Sequence, residues 1–370
     1  MFTPLPSFVG GLLLSYATSG LLAVQGRVLG CSGVAHGVIG AVASRLAPAA
    51  KQAPQSATTK DHGPAPASPD GWKFATLAGM LAGGLLLRLV RPALEGVLGT
   101  SIFDTPMHVA DVGIGRVIAA GLLVGAGTKL ANGCTSGHML LGLARLSKRS
   151  LAAVLAFFST ALITSRLLPL PLLTAADSAA SHGLAPAILS PNAAVALCLA
   201  APLLSLPSFS YSRLVPSSVR PLLHAFLLGT TFSIGLALAG MTSPSKVISF
   251  FYVPLPVPPA LAVPAGATWD PSLAMVALGG LLPNMLVWQK IKGWKKPLKR
   301  EVWNVPRGGN VDGKLLAGAA LFGVGWGLMG ICPGPLFAVL GAGTGVGGSS
   351  IPVFAGAFAA GGLVAGRVLA

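Results

Sequence analysis

Long apolar stretches alternate with short basic or glycine-rich breaks along most of the chain. A helix of about 20 apolar residues is long enough to cross a hydrocarbon core of about 30 Å. The pattern therefore predicts an all-α integral membrane protein with about nine transmembrane helices. The predicted spans are residues 7–28, 73–90, 112–130, 151–168, 184–206, 220–239, 272–288, 315–331 and 350–369.

Two of the breaks share one pattern, in which a Gly-x-Gly pair is followed, seven residues after its second glycine, by a cysteine. The first break is Gly125–His138, which contains Cys134, and the second is Gly323–Pro335, which contains Cys332. Each cysteine leads into an apolar segment too short to span, which predicts two re-entrant half-helices. The two short segments are residues 137–146 and 335–341.

The two breaks lie about half the chain length apart, with similar apolar stretches around each. An internal duplication of this kind is typical of transporters. We therefore expect two pseudo-symmetric membrane repeats, residues 1–205 and 206–370. Residues 47–70 are rich in Pro, Ala, Ser and Thr, and we interpret them as a flexible linker inside the first repeat.

Composition supports the membrane assignment, because 53% of the residues are hydrophobic and only 9% are charged. A soluble domain carries roughly a quarter charged residues. The net charge of +16 is assigned to loops that set the orientation in the lipid bilayer, so no nucleic-acid partner is expected. The side richer in Lys and Arg should be cytoplasmic. This rule predicts a multi-pass protein of the cell membrane, with its N-terminus outside and its C-terminus in the cytoplasm.

The half-helices suggest an anion site at membrane depth. Free N–H groups at helix N-termini attract anions, and a thiol adds a soft, weak donor that suits a sulfur-bearing anion. The site is predicted from residues in and around the two breaks, together with a cysteine near the end of the first span. These residues are Lys129, Gly133, Cys134, Thr135, Ser136, Gly137, His138, Cys332, Gly334 and Cys31.

Each of these assignments competes with a simpler one. Buried cysteines often serve packing alone, and Cys198, in a plain apolar stretch, is interpreted that way. Lys129 either neutralises the anion or extends to the interface, and participation of Cys31 stays open. The Cys134–His138 and Cys31–His36 pairs are weak evidence for a soft metal. We therefore predict no metal site and no cofactor.

At these positions the chain resembles the YeeE/YedE family of sulfur-compound transporters, also called sulphur transport domain proteins. The resemblance implies that the chain is a single-chain form of an arrangement that is often split into two proteins. It also implies thiosulfate uptake, with Cys134 and Cys332 passing the anion along by S–H···S hydrogen bonds. The strings that carry the resemblance are Gln25–Gly33, Gly125–His138, Gly142–Ser150, Ala239–Val247, Trp269–Leu273 and Phe322–Pro335.

The leading hypothesis is transmembrane uptake of thiosulfate, or of a closely related small sulfur anion, through a cysteine-lined path. A carrier for sulfide, polysulfide or sulfite is the alternative. A membrane sulfur-transfer enzyme with a cysteine persulfide is a third reading, but no cofactor motif or acid–base pair accompanies the cysteines, so no enzyme is expected. A cytoplasmic sulfur-accepting protein is a candidate partner. The sequence leaves the exact anion, the driving force and the oligomeric state open.

Overall fold

The computed structural model describes residues 2–46, 70–171, 190–305 and 309–369. Within these ranges the regular elements are helices, and one isolated bridge pairs Arg27 with Asn304. The α-helices are α1 (Pro4–Gln25), α2 (Cys31–Leu46), α3 (Gly71–Leu98), α4 (Val109–Val112), α5 (Ile114–Leu130), α6 (Lys148–Leu167), α7 (Pro191–Leu204), α8 (Pro207–Ser210), α9 (Arg220–Leu238), α10 (Pro244–Phe251), α11 (Ser272–Ile291), α12 (Gly313–Met329), α13 (Pro333–Ala342), α14 (Thr344–Gly347) and α15 (Ser350–Leu369). A π-helical turn, Ser136–Gly142, and a 3₁₀ turn, Leu143–Arg145, follow α5, and a further 3₁₀ turn, Pro259–Leu261, follows α10.

The helical, membrane-spanning class predicted from the sequence is confirmed, but the count of nine spans is not. In the described ranges six helices are long and apolar enough to cross a membrane, namely α1, α3, α6, α9, α11 and α15. The bent pair α12 and α13, with 40° between its parts, raises the count to seven if it forms one span. Helices α5 and α12 contain 17 residues each, and α7 contains 14, so helix length accounts for the difference.

Four long helices end in the same way: a residue in the left-handed conformation turns the chain, a sulfur-containing residue follows within five positions, and a shorter helical segment begins. The turning residues are Gly26 after α1 (φ 65°), Asn132 after α5 (φ 55°), Gly240 after α9 (φ 72°) and Gly330 after α12 (φ 67°). The sulfur-containing residues are Cys31, Cys134, Met241 and Cys332. The sequence pattern predicted only the second and fourth of these turns.

The first half of the chain packs mainly against the second. Helix α1 contacts α11 and α9, and α3 contacts α9 and α13. Helix α5 contacts α15 and α12, and α12 also contacts α6. Small residues allow this close approach: a Cβ placed on Gly84 of α3 would lie 1.9 Å from the Ala338 carbonyl oxygen of α13.

The predicted linker, residues 47–70, lies outside the described residues except for its last member. That residue, Asp70, precedes α3, and its carboxylate pairs with Lys73 at 2.5 Å.

Candidate functional site

Three thiols mark the ends of the turns at the centre of the molecule. Cys31 is the first residue of α2, Cys332 directly precedes α13, and Cys134 lies two residues before the π-helical turn. Each is no more than 2% exposed. The N-terminal ends of α2 and α13 therefore bring a thiol each to the same region, and at α13 the N–H group of Gly334 lies beside the Cys332 thiol, since the flanking Pro333 and Pro335 have no N–H.

Two hydroxyl side chains connect these thiols. The Cys31 backbone N–H donates to Ser136 Oγ at 3.0 Å, and the same oxygen lies 3.3 Å from Cys134 Sγ. The neighbouring Thr135 Oγ1 is 3.8 Å from Cys332 Sγ. Residues from the first and second halves of the chain thus form one hydrogen-bonded cluster.

A small cavity of about 20 Å³ adjoins this cluster. That volume suits about one water molecule. Among the described residues, its lining contains two of the thiols and both hydroxyls but no charged side chain. The lining residues are Leu14, Cys31, Thr135, Ser136, Met139, Leu140, Phe232, Leu236, Met241, Val276, Cys332, Gly334 and Pro335.

Two further cavities adjoin the thiol cavity. One, of about 20 Å³, is lined by Phe103, Asp104 and parts of α13, and it shares Met241 and Pro335 with the thiol cavity. The other, of about 400 Å³, is almost entirely apolar and lies along α11; it shares Thr135, Met139, Met241 and Val276 with the thiol cavity. Met241 lines all three cavities, so its flexible thioether side chain separates them in this conformation.

Asp104, in the connection between α3 and α4, lines the small cavity that shares Met241 and Pro335 with the thiol cavity. Its Oδ2 accepts from the Ser245 backbone N–H at 2.8 Å. Burial raises the pKa of Asp104, and this rise is opposed by hydrogen bonds from Ser245 and Ser243 and by the charge of Lys246.

Five sequence-predicted site residues do not line the thiol cavity, and four of them, all except Cys134, take no part in the thiol cluster. His138 contacts Ser150 Oγ through Nδ1 and the Ala131 carbonyl through Nε2, both at 3.2 Å, so its ring holds the turn after α5 together. Gly133 packs on that ring, where a Cβ would lie 2.7 Å from Nε2. The other two residues are Gly137, which has open space at its Cβ position, and Lys129, which lies beside Gly366 of α15.

Cys134 joins the cluster through Ser136 but is not a lining residue. Gly334 does line the cavity, and a Cβ there would lie 3.3 Å from Cys31 Sγ. Cys198 is buried within α7, away from these cavities. In the part of the chain that the structure describes, no three His, Cys, Asp or Glu residues are grouped so that they could hold a metal ion.

Sequence reasoning omitted the apolar part of the lining, such as Phe232, Leu236 and Met139. These residues come from ordinary apolar helix sequence, and only the packing of the halves brings them to the thiols. The sequence does contain a Gly-Met pair at Gly240 and Met241. The structure shows that Gly240 is left-handed, like the residues at the other three turns, so Met241 occupies the position that a cysteine has there.

Several curated proteins are similar to the chain. A probable transporter of Xylella fastidiosa strain Temecula1 is 36% identical over 148 residues, which are 39% of this chain and 88% of the relative. The chain belongs to this family of probable transporters. Another family member, a probable transporter of strain 9a5c, is 35% identical over 148 residues, with 39% of this chain and 89% of the relative covered.

A more distant probable transporter of strain Temecula1 is 29% identical over 157 residues, which are 42% of this chain and 89% of that relative. Residues 221–368 match a family described as a family of unknown function (DUF6691). No solved structure matches the chain. With its long apolar helices, this member of the family is a multi-pass membrane protein.

Proposed function

We propose that the protein takes up thiosulfate, or a closely related small sulfur anion, across the cell membrane. The single observation that carries this proposal is the central cluster in which Cys31, Cys134 and Cys332 meet Thr135 and Ser136 at the ends of two helices. The probable-transporter relatives support transport as the broad function. The YeeE/YedE resemblance of the sequence supports a sulfur-containing substrate.

The electrostatics of the cavity favour an anion. The N-termini of α2 and α13 carry partial positive charge, and no charged side chain among the described lining residues repels an anion. Thiol and hydroxyl groups supply weak donors that release the substrate again. A path of several weak contacts allows an ion to move from one donor to the next, whereas a single strong cationic site would retain it.

Thiol donors also provide selectivity for sulfur. Thiosulfate offers a terminal sulfur that accepts from S–H, whereas sulfate has the same charge and similar shape but presents only oxygens. The helix ends attract both anions about equally. Discrimination therefore depends on several thiol contacts, since each weak hydrogen bond contributes about a kcal/mol or less.

The thiol cavity is closed in this conformation, because about 20 Å³ accommodates little more than a water molecule. Uptake requires that Met241 and Pro335, which stand between the thiol cavity and the one beside Asp104, move apart. An unbranched thioether can change rotamer with little cost. Opening therefore starts at Met241.

The two-repeat organisation, residues 1–205 and 206–370, is part of this proposal. Each half contributes two of the four turns, and the helices of one half pack mainly against helices of the other. Since 39% of this chain covers 88% of a relative, that relative is less than half as long as this chain. A single-chain fusion of two such units, with the N-terminus outside and the C-terminus cytoplasmic, accounts for both facts.

Two alternatives to thiosulfate uptake use the same cluster. In the first, the protein carries sulfide, polysulfide or sulfite. In the second, it is an enzyme that transfers sulfur through a persulfide on Cys134 or Cys332. We favour transport without enzymatic chemistry, because the cluster contains no charged acid–base partner among the described residues. A cytoplasmic sulfur-accepting protein is the partner expected downstream.

The test is uptake of radiolabelled thiosulfate into proteoliposomes. Replacing Cys134 or Cys332 by alanine should reduce uptake at least about tenfold, whereas Cys198→Ala, which also removes a buried thiol, should leave it unchanged. Excess unlabelled thiosulfate should compete strongly and sulfate weakly. Normal uptake by a well-folded motif variant contradicts the proposal, and a mass shift on an isolated cysteine after turnover favours the enzyme.

A further inference from the structure

A second cluster of polar groups lies where the connection between α11 and α12 crosses the end of α1. The backbone N–H groups of Leu298 and Lys299 donate to the Ala23 and Val24 carbonyls, at 3.0 and 2.9 Å. These carbonyls belong to the last turn of α1, which has no intrahelical partners for them. The connection is thereby fixed, and it places Arg300 beside Arg27.

Both arginines have buried N–H groups without a hydrogen-bond partner. In the described ranges, Arg27 Nε and Arg300 Nη1 are inaccessible to solvent and make no hydrogen bond. The Tyr211 hydroxyl is likewise buried without a hydrogen-bond partner, and the Gln25 side chain lies beside it. Buried donors usually have partners, so the unpaired N–H groups of the two arginines and the Tyr211 hydroxyl indicate a missing ligand.

The charges of the cluster identify the ligand as an anion. Burial, and secondarily the charge of Arg300, lower the pKa of Arg27 to about 10, so the Arg27 guanidinium remains positive at neutral pH. Burial raises the pKa of Tyr211 to about 12, which keeps it a neutral phenol. Asp70 also attracts Arg27, but its carboxylate is held by Lys73.

Two guanidinium groups that are partly buried side by side are costly unless an anion balances them. The Arg27 guanidinium is fixed in place over the Trp72 ring, 5.0 Å from its centroid. The connection that carries Arg300 is fixed by a further bond, from the Asn304 N–H to the Gly26 carbonyl at 2.8 Å. The donors are therefore held in position without a ligand.

We propose that Arg27, Arg300 and Tyr211 form a binding site for a small tetrahedral oxyanion, and that the transported anion occupies it after it leaves the thiol cavity. Arg27 lies four residues before Cys31, which lines that cavity. The site is on the face that carries the basic connection between α11 and α12. Its role as an exit site rests on the proposed function.

The chemistry of this site differs from that of the thiol cavity. Guanidinium groups recognise oxyanions through charge and paired N–H···O bonds, and neither feature distinguishes a sulfur from an oxygen substituent. The arginine site should therefore bind sulfate and thiosulfate with similar affinity. Sulfate binding therefore reports on the arginine site independently of the thiol cavity.

The experiment measures binding of radiolabelled sulfate to the purified full chain in neutral detergent. Arg27→Gln and Arg300→Gln should each weaken binding about tenfold or more. Arg27→Lys should have an intermediate effect, because lysine keeps the charge but cannot donate the paired N–H···O bonds of a guanidinium group. The matched control is Lys295→Gln, which removes the same charge from an exposed position of the same connection. Its affinity should equal that of the wild-type protein.

Equal sulfate affinity of Arg27→Gln, Arg300→Gln and Lys295→Gln overturns the site. If one of the two arginine-to-glutamine variants does not fold, the sulfate affinities of the other variant and of Arg27→Lys test the site. A Cys31→Ala, Cys332→Ala double variant should retain sulfate binding. If thiosulfate uptake proves independent of the cysteines while sulfate binding still needs Arg27, the proposed function fails and the arginine site stands.

A lipid headgroup phosphate offers the same tetrahedral chemistry. The binding measurement is therefore repeated in nanodiscs of phosphatidylcholine alone and with phosphatidylglycerol added. Sulfate binding that is unaffected by phosphatidylglycerol supports an exit site. Arg27-dependent retention of phosphatidylglycerol without any sulfate binding assigns the site to lipid and overturns the exit role.

Discussion

At the scale of single residues, Ser136 has the most direct structural role in the central cluster. Its hydroxyl oxygen accepts from the first N–H group of α2 and contacts the Cys134 thiol, so one side chain caps a helix from the other side of the cavity. The position of Cys31 relative to Cys134 therefore depends on Ser136. A substrate path made of these thiols needs that spacing to be fixed.

Ser136→Ala should lower the free energy of unfolding by about 1–3 kcal/mol, because the buried Cys31 N–H loses its acceptor. Ser44→Ala is the control, since the Ser44 hydroxyl contacts only the Ala41 carbonyl on an exposed part of α2. Thermal unfolding in detergent measures both changes. An Ser136→Ala protein as stable as the Ser44→Ala protein would show that the cap contributes nothing.

Asp104 gives a pH-dependent prediction. Its folded-state pKa is raised by burial above the usual value of about 3.9. Below that value both states are protonated; as pH rises towards the folded-state pKa, the unfolded state loses its proton first, and the free energy of unfolding falls. Asp104→Asn removes this loss but keeps an acceptor for Ser245.

The Asp104→Asn variant should therefore gain stability relative to the wild-type protein as pH rises from about 4, and the gain should level off above the folded-state pKa. Unfolding midpoints of the two proteins between about pH 4 and 8 give the difference, in which other titrating groups cancel. A difference that stays constant or shrinks with rising pH would mean that the carboxyl is not penalised by burial.

At the scale of helices, glycines determine which surfaces meet. A Cβ on Gly125 of α5 would lie 2.1 Å from the Phe358 carbonyl oxygen of α15, which no side-chain movement can relieve. Gly115 of the same helix has nothing within 4 Å of its Cβ position. The two positions have the same residue type in one helix, but Gly125 lies in its interior against α15, whereas Gly115 lies in its first turn with open space beside it.

Gly125→Ala should destabilise the protein by about 1–3 kcal/mol or prevent folding, because the helices must separate. Gly115→Ala, at the second residue of α5, should instead leave stability unchanged or raise it by a few tenths of a kcal/mol, since alanine has the higher helix propensity and nothing lies near the added Cβ. Unfolding in detergent compares them. A Gly125→Ala protein that matches Gly115→Ala would refute the close contact of α5 with α15.

The helices were also the level at which the sequence was most informative. Each of the nine predicted spans corresponds to a helix, but three of them, α5, α7 and α12, are too short to count as spans by length, and the 16-residue helix α2 was not predicted. The Gly-x-Gly-to-cysteine spacing located two of the four turns. It could not locate the contact of Thr135 with Cys332, because that contact depends on how the two halves pack. Nor did it reveal that the His138 ring faces Ala131 and Ser150 instead of the cavity.

At the scale of the whole molecule, the most extensive helix contacts join the first half of the chain to the second. Helices α1 and α3 pack against α9, and α5 and α6 pack against α12. Small-residue surfaces of this kind stabilise a membrane protein only when their partner is present. The thiol cluster also needs both halves, because Thr135 comes from one and Cys332 from the other.

A chain divided after Leu214, which is 95% exposed between α8 and α9, should therefore assemble only from both fragments. Fragments 1–214 and 215–370, produced together with a tag on one of them, should copurify and retain thiosulfate uptake in proteoliposomes. Either fragment alone should aggregate in detergent, because its glycine-lined helices lack their partners. A single fragment that purifies as a stable, monodisperse protein would show that the halves are independent units, and the thiol cluster at their junction could not be the transport path.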